Sequence, residues 1–267
     1  MPYNIFKMKT NSWQYFLDQI YHRIILINKD GCDVPFFRGQ SNRKSSYKLI
    51  PKIYRDDFLL IYKKKPYFEY DLYFDFVTKG GRQINKNSTW HNLFIMQHYG
   101  LPTRLLDWTD NFATALYFAL NGYKENHDNL PEIIILNPYT LNRASFEIGE
   151  LMNPELTRNF PRYIDLIDRD VKDKKTTKYR KQLPIAIYPY RFNKRLIAQG
   201  GYFTFHGKNK KGIEELVPKA IYRYQIPKDC IKDAMKFIEL AGIDQYKLFT
   251  DLDSLGKHLN SHFLSKY

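Results

Sequence analysis

Helical periodicity sits at the two ends of this chain, and the runs between are short and strand-like. Trp13, Phe16, Leu17, Ile20, Ile24 and Ile27 mark one face of a helix over 11–27, with Asn11 and Ser12 as candidate caps. The C-terminal end predicts helices over 228–241 and 251–262, and the interior predicts them over about 66–80, about 87–98 and 111–121. Strand-like runs fall at 34–39, 103–108, 132–136, 185–188, 202–206 and 220–226, the last stopping at Pro227. Strands and helices do not alternate as βαβ units, and no GxGxxG fingerprint is present, which excludes a Rossmann fold. The expectation is an α+β fold: a small mixed or antiparallel central sheet flanked by N- and C-terminal helices.

With 267 residues, 43% of them hydrophobic, the chain has enough apolar surface for one large domain or two small ones. No internal repeat or low-complexity linker divides it. Residues 138–183 read as a polar, Lys-rich excursion from the core. Two cysteines, Cys32 and Cys230, give neither a disulfide framework nor a CxxC metal pair, so a reduced, cytoplasmic setting is expected. No segment has the roughly 18 apolar residues a membrane span requires. The formal net charge is +14. That permits a nucleic-acid partner through counterion release, although Lys runs such as 63–65 and 208–211 are also what solvated loops look like.

Chemistry-bearing residues gather in three clusters. The first is Phe37-Arg38-Gly39-Gln40. An Arg beside a Gly can present its planar fork to a phosphate, or pair with an internal carboxylate, and Gly39 admits a close approach to the backbone. The second is QHYGLPTRLLDWT at 97–109. Gln97, His98, Tyr99, Thr103, Arg104, Asp107, Trp108 and Thr109 are too many polar side chains for core filler, because buried polar groups need partners. Asp107, Thr109 or Asp110 is a candidate cap for the next helix, and an Arg104–Asp107 ion pair is the competing structural explanation. The third is Arg195-x-x-x-Gln199-Gly-Gly-Tyr-Phe203, where four-residue spacing puts Arg195 and Gln199 on one face if helical. P-loop, GxSxG, HExxH and kinase signatures are absent, and the seven histidines show no metal-ligand spacing, so no metal is expected.

In this order the clusters resemble the FRG domain family, whose name comes from the tripeptide found here at Phe37-Arg38-Gly39. The matching positions include Tyr47, Leu49, Pro51 and Arg55, the nearly unbroken run 97–109, Ala115 to Ala119, then Arg195, Gln199, Gly201 and Phe203. The resemblance extends over roughly residues 15–262, which implies a single FRG domain over 1–267. The same order is similar to that of arginine-type ADP-ribosyltransferases: an aromatic-Arg-Gly on the first core strand, a Ser/Thr-bearing strand leading into a helix, and a third element that carries Glu.

That second resemblance implies an ADP-ribosyltransferase-like fold using NAD as co-substrate, in a toxin or anti-phage effector that modifies nucleic acid or protein. It assigns catalytic roles to Arg38, Asp107 and Gln199. Nucleotide contacts fall to Arg38, Gln97, His98, Tyr99, Thr103, Arg104, Trp108, Thr109, Arg195 and Phe203. The chain departs from the pattern in offering Gln199 where Glu is expected. Gln can hydrogen-bond a ribose hydroxyl but cannot serve as a base, which leaves Asp107 to supply the charge. The rival readings are a non-catalytic module binding nucleic acid or a nucleotide, and a metal-independent nuclease using Arg38, His98 and Asp107.

Overall fold

Six short strands form one sheet in the order β4-β5-β2-β1-β3-β6. The structure is a computed structural model describing residues 12–42, 47–84, 88–124, 129–158, 160–167 and 182–264. The first element among the described residues is α1 (Ser12–Lys29), whose Phe16, Ile20 and Ile27 are buried. Then come β1 (Phe36–Gln40), α2 (Asp56–Lys64), α3 (Phe68–Gly80), α4 (Thr89–His98), β2 (Leu105–Thr109), α5 (Phe112–Leu120) and β3 (Glu132–Leu136). The next group is α6 (Pro138–Phe146), α7 (Tyr163–Ile167), β4 (Ile185–Ile187), α8 (Lys194–Ala198), β5 (Gly201–Phe205) and α9 (Ile213–Leu216). Last are β6 (Ile221–Gln225), α10 (Ile231–Leu240), α11 (Gln245–Phe249) and α12 (Leu252–Leu264).

Every strand pair in the sheet is antiparallel. The fold is α+β with flanking terminal helices, as the periodicity predicts. Two helical groups cover one face. Phe37, Ile133 and Ile135 of β1 and β3 pack under α1, α5 and α10. Leu105, Phe203, Phe205, Ile185 and Ile187 of β2, β5 and β4 pack under α3, α4 and α7. The opposite face buries Phe36, Ile134, Leu106, Trp108 and Tyr202 against Leu49, Leu141 and Ile213.

The two halves of the sheet are barely joined. β1 pairs with β3 at five positions, and β2 pairs with β5 at five, but β1 meets β2 only at Phe37↔Thr109. Beyond that pair the strands part. Gly39 lies on the diverging side. A Cβ there would come within 1.9 Å of the Ala115 carbonyl oxygen and 2.5 Å of the Ala119 amide nitrogen. The close approach that Gly39 permits is thus made by the backbone of α5, a packing role rather than ligand access.

Three differences from the periodicity have local causes. α2 is a helix where none is expected: it buries no residue completely, so its Lys63-Lys64 end carries the charge pattern of an exposed loop. α6 and α7 lie within residues 138–183 yet bury Leu141, Asn142, Ser145 and Tyr163. The start signal of α6 is legible, since the Asn137 side chain accepts from the amides of Tyr139 and Thr140 and Pro138 takes the first turn. The Lys-rich stretch 172–181 lies outside the described residues. No helix among the described residues is long and apolar enough to cross a membrane.

Candidate functional site

The parting of β1 and β2 opens a cavity of about 1010 Å³, at the upper end of the roughly 300–1,000 Å³ usual for small-molecule sites. Arg38 from β1, Asp107 from β2 and Gln199 from the end of α8 all line it. Gln97, Trp108, Thr109 and Arg195 line it as well. These seven residues come from three separate parts of the sequence.

Arg38 spans the gap. Its Nη1 donates to the Asp107 carbonyl oxygen at 2.6 Å, replacing with a side chain the ladder hydrogen bond that the parted strands cannot make. Its Nε is buried without a partner. Burial holds the guanidinium below its ordinary pKa; the Asp107 carboxylate opposes this, while Arg55 and Arg223 add to it. The charge is therefore under-compensated in the free protein, the condition that favours an incoming anion.

The Asp107 carboxylate is held by a short relay. Leu105 donates its amide to Thr103 Oγ1 at 3.1 Å, so the Thr103 hydroxyl is free to donate to Gln97 Oε1. That fixes the Gln97 amide, whose Nε2 donates to Asp107 Oδ2 at 2.9 Å. Asp107 is the exposed residue in a strand whose burial otherwise runs unbroken, so its carboxylate faces the cavity. Thr109 ties the third wall in place. Its Oγ1 donates to the Gln199 carbonyl oxygen at 2.6 Å and accepts from the Asn111 amide at 3.0 Å. Gln199 caps α8, and its Nε2 is buried without a partner.

The cap of α5 is Asn111, whose side chain accepts from the Thr114 amide at 3.1 Å. Asp107, Thr109 and Asp110 are therefore not its caps, and Asp107 is free for another task. The Arg104–Asp107 pair does not form either. Arg104 is buried against Glu69, with Nη2 to Oε2 at 2.5 Å and Nε to Oε2 at 2.7 Å. Tyr62 and Tyr163 donate to the same carboxylate at 2.5 and 2.8 Å. Arg104 and Thr103 thus sit behind the wall, not in it.

Three other expected contacts also lie apart from the main cavity. Tyr99 is 69% exposed. Phe203 stacks on Phe94, with ring centroids 5.4 Å apart, as part of the core. His98 and Phe203 line a recess of about 50 Å³ that shares Gln97, Asp107, Arg195 and Gln199 with the main cavity. Burial lowers the His98 pKa, and Arg195 lowers it further, so the imidazole is neutral at physiological pH.

Other wall residues were given no role from the sequence, although Gln40 stands in the first cluster and Arg55 among the family-matching positions. Gln40 ends β1 and Asn42 lies just beyond it, Arg55 and Lys210 bring charge, and Thr114 comes from α5. Thr114 had a readable signal, as the one aliphatic hydroxyl in the apolar helix FATALYFAL. Lys210 had none, since it looks like other surface cations, and Arg55 stood out only as a family-matching position. Five basic side chains (Arg38, Lys48, Arg55, Arg195 and Lys210) line the cavity against two carboxylates, Asp56 and Asp107. Lys48 is paired outward with Glu215 at 2.9 Å. Among the described residues, five buried polar atoms without partners belong to this lining: Arg38 Nε, Gln40 Oε1, Asn42 Oδ1, Thr114 Oγ1 and Gln199 Nε2. Buried polar groups in a finished core are paired. Convergence of five unpaired ones on a single positive cavity points to a polar, anionic ligand. No group of three or more His, Cys, Asp or Glu able to hold a metal occurs among the described residues.

Residues 34–128 match the family model of the FRG domain. The chain carries an FRG domain. The matched segment, about a third of the chain, runs from just before β1 to just past α5. It therefore supplies both sides of the parted strands, while Arg195 and Gln199 of the FRG-domain protein come from outside it. A search of curated proteins and a search of solved structures gave no match.

Proposed function

We propose that this FRG-domain protein is an ADP-ribosyltransferase-like enzyme that uses NAD, with the cavity between β1 and β2 as its active site. The observation that carries this reading is the meeting of Arg38, Asp107 and Gln199 on one positively charged cavity large enough for a dinucleotide. Arg38, with its uncompensated charge and unpaired Nε, is suited to a pyrophosphate. Gln199 has an unpaired Nε2 to donate to a ribose hydroxyl.

The reaction needs one negative charge near the ribose. Breaking the bond between ribose C1′ and the nicotinamide nitrogen sends the bonding electron pair to the nicotinamide, which leaves neutral. The ribose becomes oxocarbenium-like, as in glycoside cleavage. Asp107, held at one oxygen by Gln97, has its other oxygen to set against that cation. The acceptor, a nucleophile on a protein or nucleic acid or else water, then bonds to C1′ and gives up its proton to solvent water. Gln199 orients the sugar and takes no proton.

The test is nicotinamide release from NAD by the full chain, with and without cell lysate. Release by the wild type, lost in Asp107→Asn and in Arg38→Ala, supports the reading. NAD binding with no release would leave a nucleotide-binding module. Neither binding nor release would remove NAD altogether.

A further inference from the structure

β1 carries a feature that the reaction above does not use. Side chains two residues apart on a strand share a face. From Arg38 that period leads to Gln40, the last residue of β1, and then to Asn42 just beyond it. All three line the cavity, and each has a buried polar atom without a protein partner among the described residues: Arg38 Nε, Gln40 Oε1 and Asn42 Oδ1. Thr114, fully buried on α5, adds its Oγ1. Glu132, opposite Gln40 in the register, is already engaged by Arg223 at 2.6 Å.

These groups select against a bare anion. A phosphate offers only acceptor oxygens, and the two amide carbonyls need donors. The ligand group at this end of the cavity must therefore donate hydrogen bonds. Asn and Gln pair in two-point fashion with adenine, the carbonyl accepting from the exocyclic amino group while the amide nitrogen donates to N7. Phe118 of α5, also on the cavity, gives an apolar wall for a flat ring. Arg55 and Lys210, cations on the same cavity, are left for phosphates.

We propose that Gln40, Asn42 and Thr114 form a base-recognition subsite that takes the adenine of a nucleotide by its amino edge. The inference rests on the cavity being a nucleotide site and extends that reading to which base it selects and where. It does not depend on the nucleotide being turned over.

The probe is adenosine, which has no phosphate, titrated calorimetrically into the full chain, with inosine as comparison. Inosine carries an acceptor oxygen where adenosine has its amino group. Adenosine is expected to bind about tenfold or more tighter, the scale of one two-point base contact. Asn42→Ala and Gln40→Leu should each bring the two affinities together. Melting curves confirm that each variant is folded, and the wild-type preference stands as a test without any variant. Equal affinity for the two nucleosides, or no adenosine binding, overturns the proposal. So does a preference that Asn42→Ala and Gln40→Leu leave intact in folded protein. A base preference without nicotinamide release would keep the subsite and remove the transferase reading. Nicotinamide release without a base preference would do the reverse.

Discussion

Arg38 and Arg104 both come from polar clusters in the sequence, and they end in opposite situations. Arg104 is buried with its charge matched by Glu69, and that carboxylate is itself saturated by Tyr62 and Tyr163. Arg38 is half-buried, bonds to a backbone carbonyl, and keeps an unpaired Nε beside a carboxylate that Gln97 holds. The first cluster is closed within the protein and the second is open. Polar density is the same signal for both in the sequence. What separates scaffold from site is whether the hydrogen bonds close.

The sharpest way to break this contrast is to open the closed cluster. Glu69→Gln should cost about 3–5 kcal/mol in urea denaturation, because it leaves the Arg104 charge buried without its counter-ion. Replacing both partners, with Glu69→Leu and Arg104→Met together, should recover most of that loss. If Glu69→Gln is as stable as the wild type, the closed cluster is not what holds the α3–β2 junction.

A buried histidine beside the closed cluster is a pH lever. His206 is fully buried and donates its amide to the Arg104 carbonyl oxygen at 2.9 Å. Burial, with a further push from Arg104, lowers its pKa to about 3. In the unfolded chain the imidazole protonates near its ordinary value of about 6.5. Between those values the unfolded state binds the extra proton, so the His206 contribution is whole above about pH 6.5 and is lost as pH falls toward 3. Thermal melts from pH 7 to 4 should therefore fall less steeply in a folded His206→Asn variant than in the wild type. Parallel curves would mean that His206 does not titrate with unfolding.

Gly39→Ala tests the geometry that the open cluster depends on. The new methyl would meet backbone atoms of α5 at 1.9 and 2.5 Å, and backbone cannot swing aside as a long side chain can. A loss of about 1–3 kcal/mol is expected by chemical denaturation. Ligand binding should fall as well, since Thr114, Ala115 and Phe118 on α5 line the cavity.

Much of this was legible in the sequence because it rests on local pattern. The periods of 2 and 3.6 located all six strands and the longest helix, and the three polar clusters contain Arg38, Asp107 and Gln199, which share the cavity. The rest depends on pairing between distant residues. Nothing near Arg104 indicates that its partner is Glu69, thirty-five positions earlier, and nothing near Thr103 indicates that it reaches Asp107 only through Gln97. α2 was missed because a helix with no fully buried face has little periodicity to read. The unpaired atoms of Gln40, Asn42 and Thr114 are visible only once the surrounding chain has taken up every other partner.

Arg38→Ala should have the smallest effect on stability and the most diagnostic value. The substitution removes one hydrogen bond to a carbonyl, a contribution of about 1 kcal/mol. It also removes a buried nitrogen that has no partner and a charge held at a cost, both of which favour the variant. The two effects offset, so the midpoint of denaturation should move by less than about 1 kcal/mol in either direction. Binding should respond differently. A nucleotide at a hundred times its dissociation constant raises wild-type stability by about 2.7 kcal/mol, and the same concentration should raise that of Arg38→Ala far less. A stable variant that no longer gains from ligand is the signature of an open cluster. If Arg38→Ala instead unfolds as Glu69→Gln is expected to, Arg38 is a scaffold residue like Arg104, and the cavity loses its anion-binding side chain.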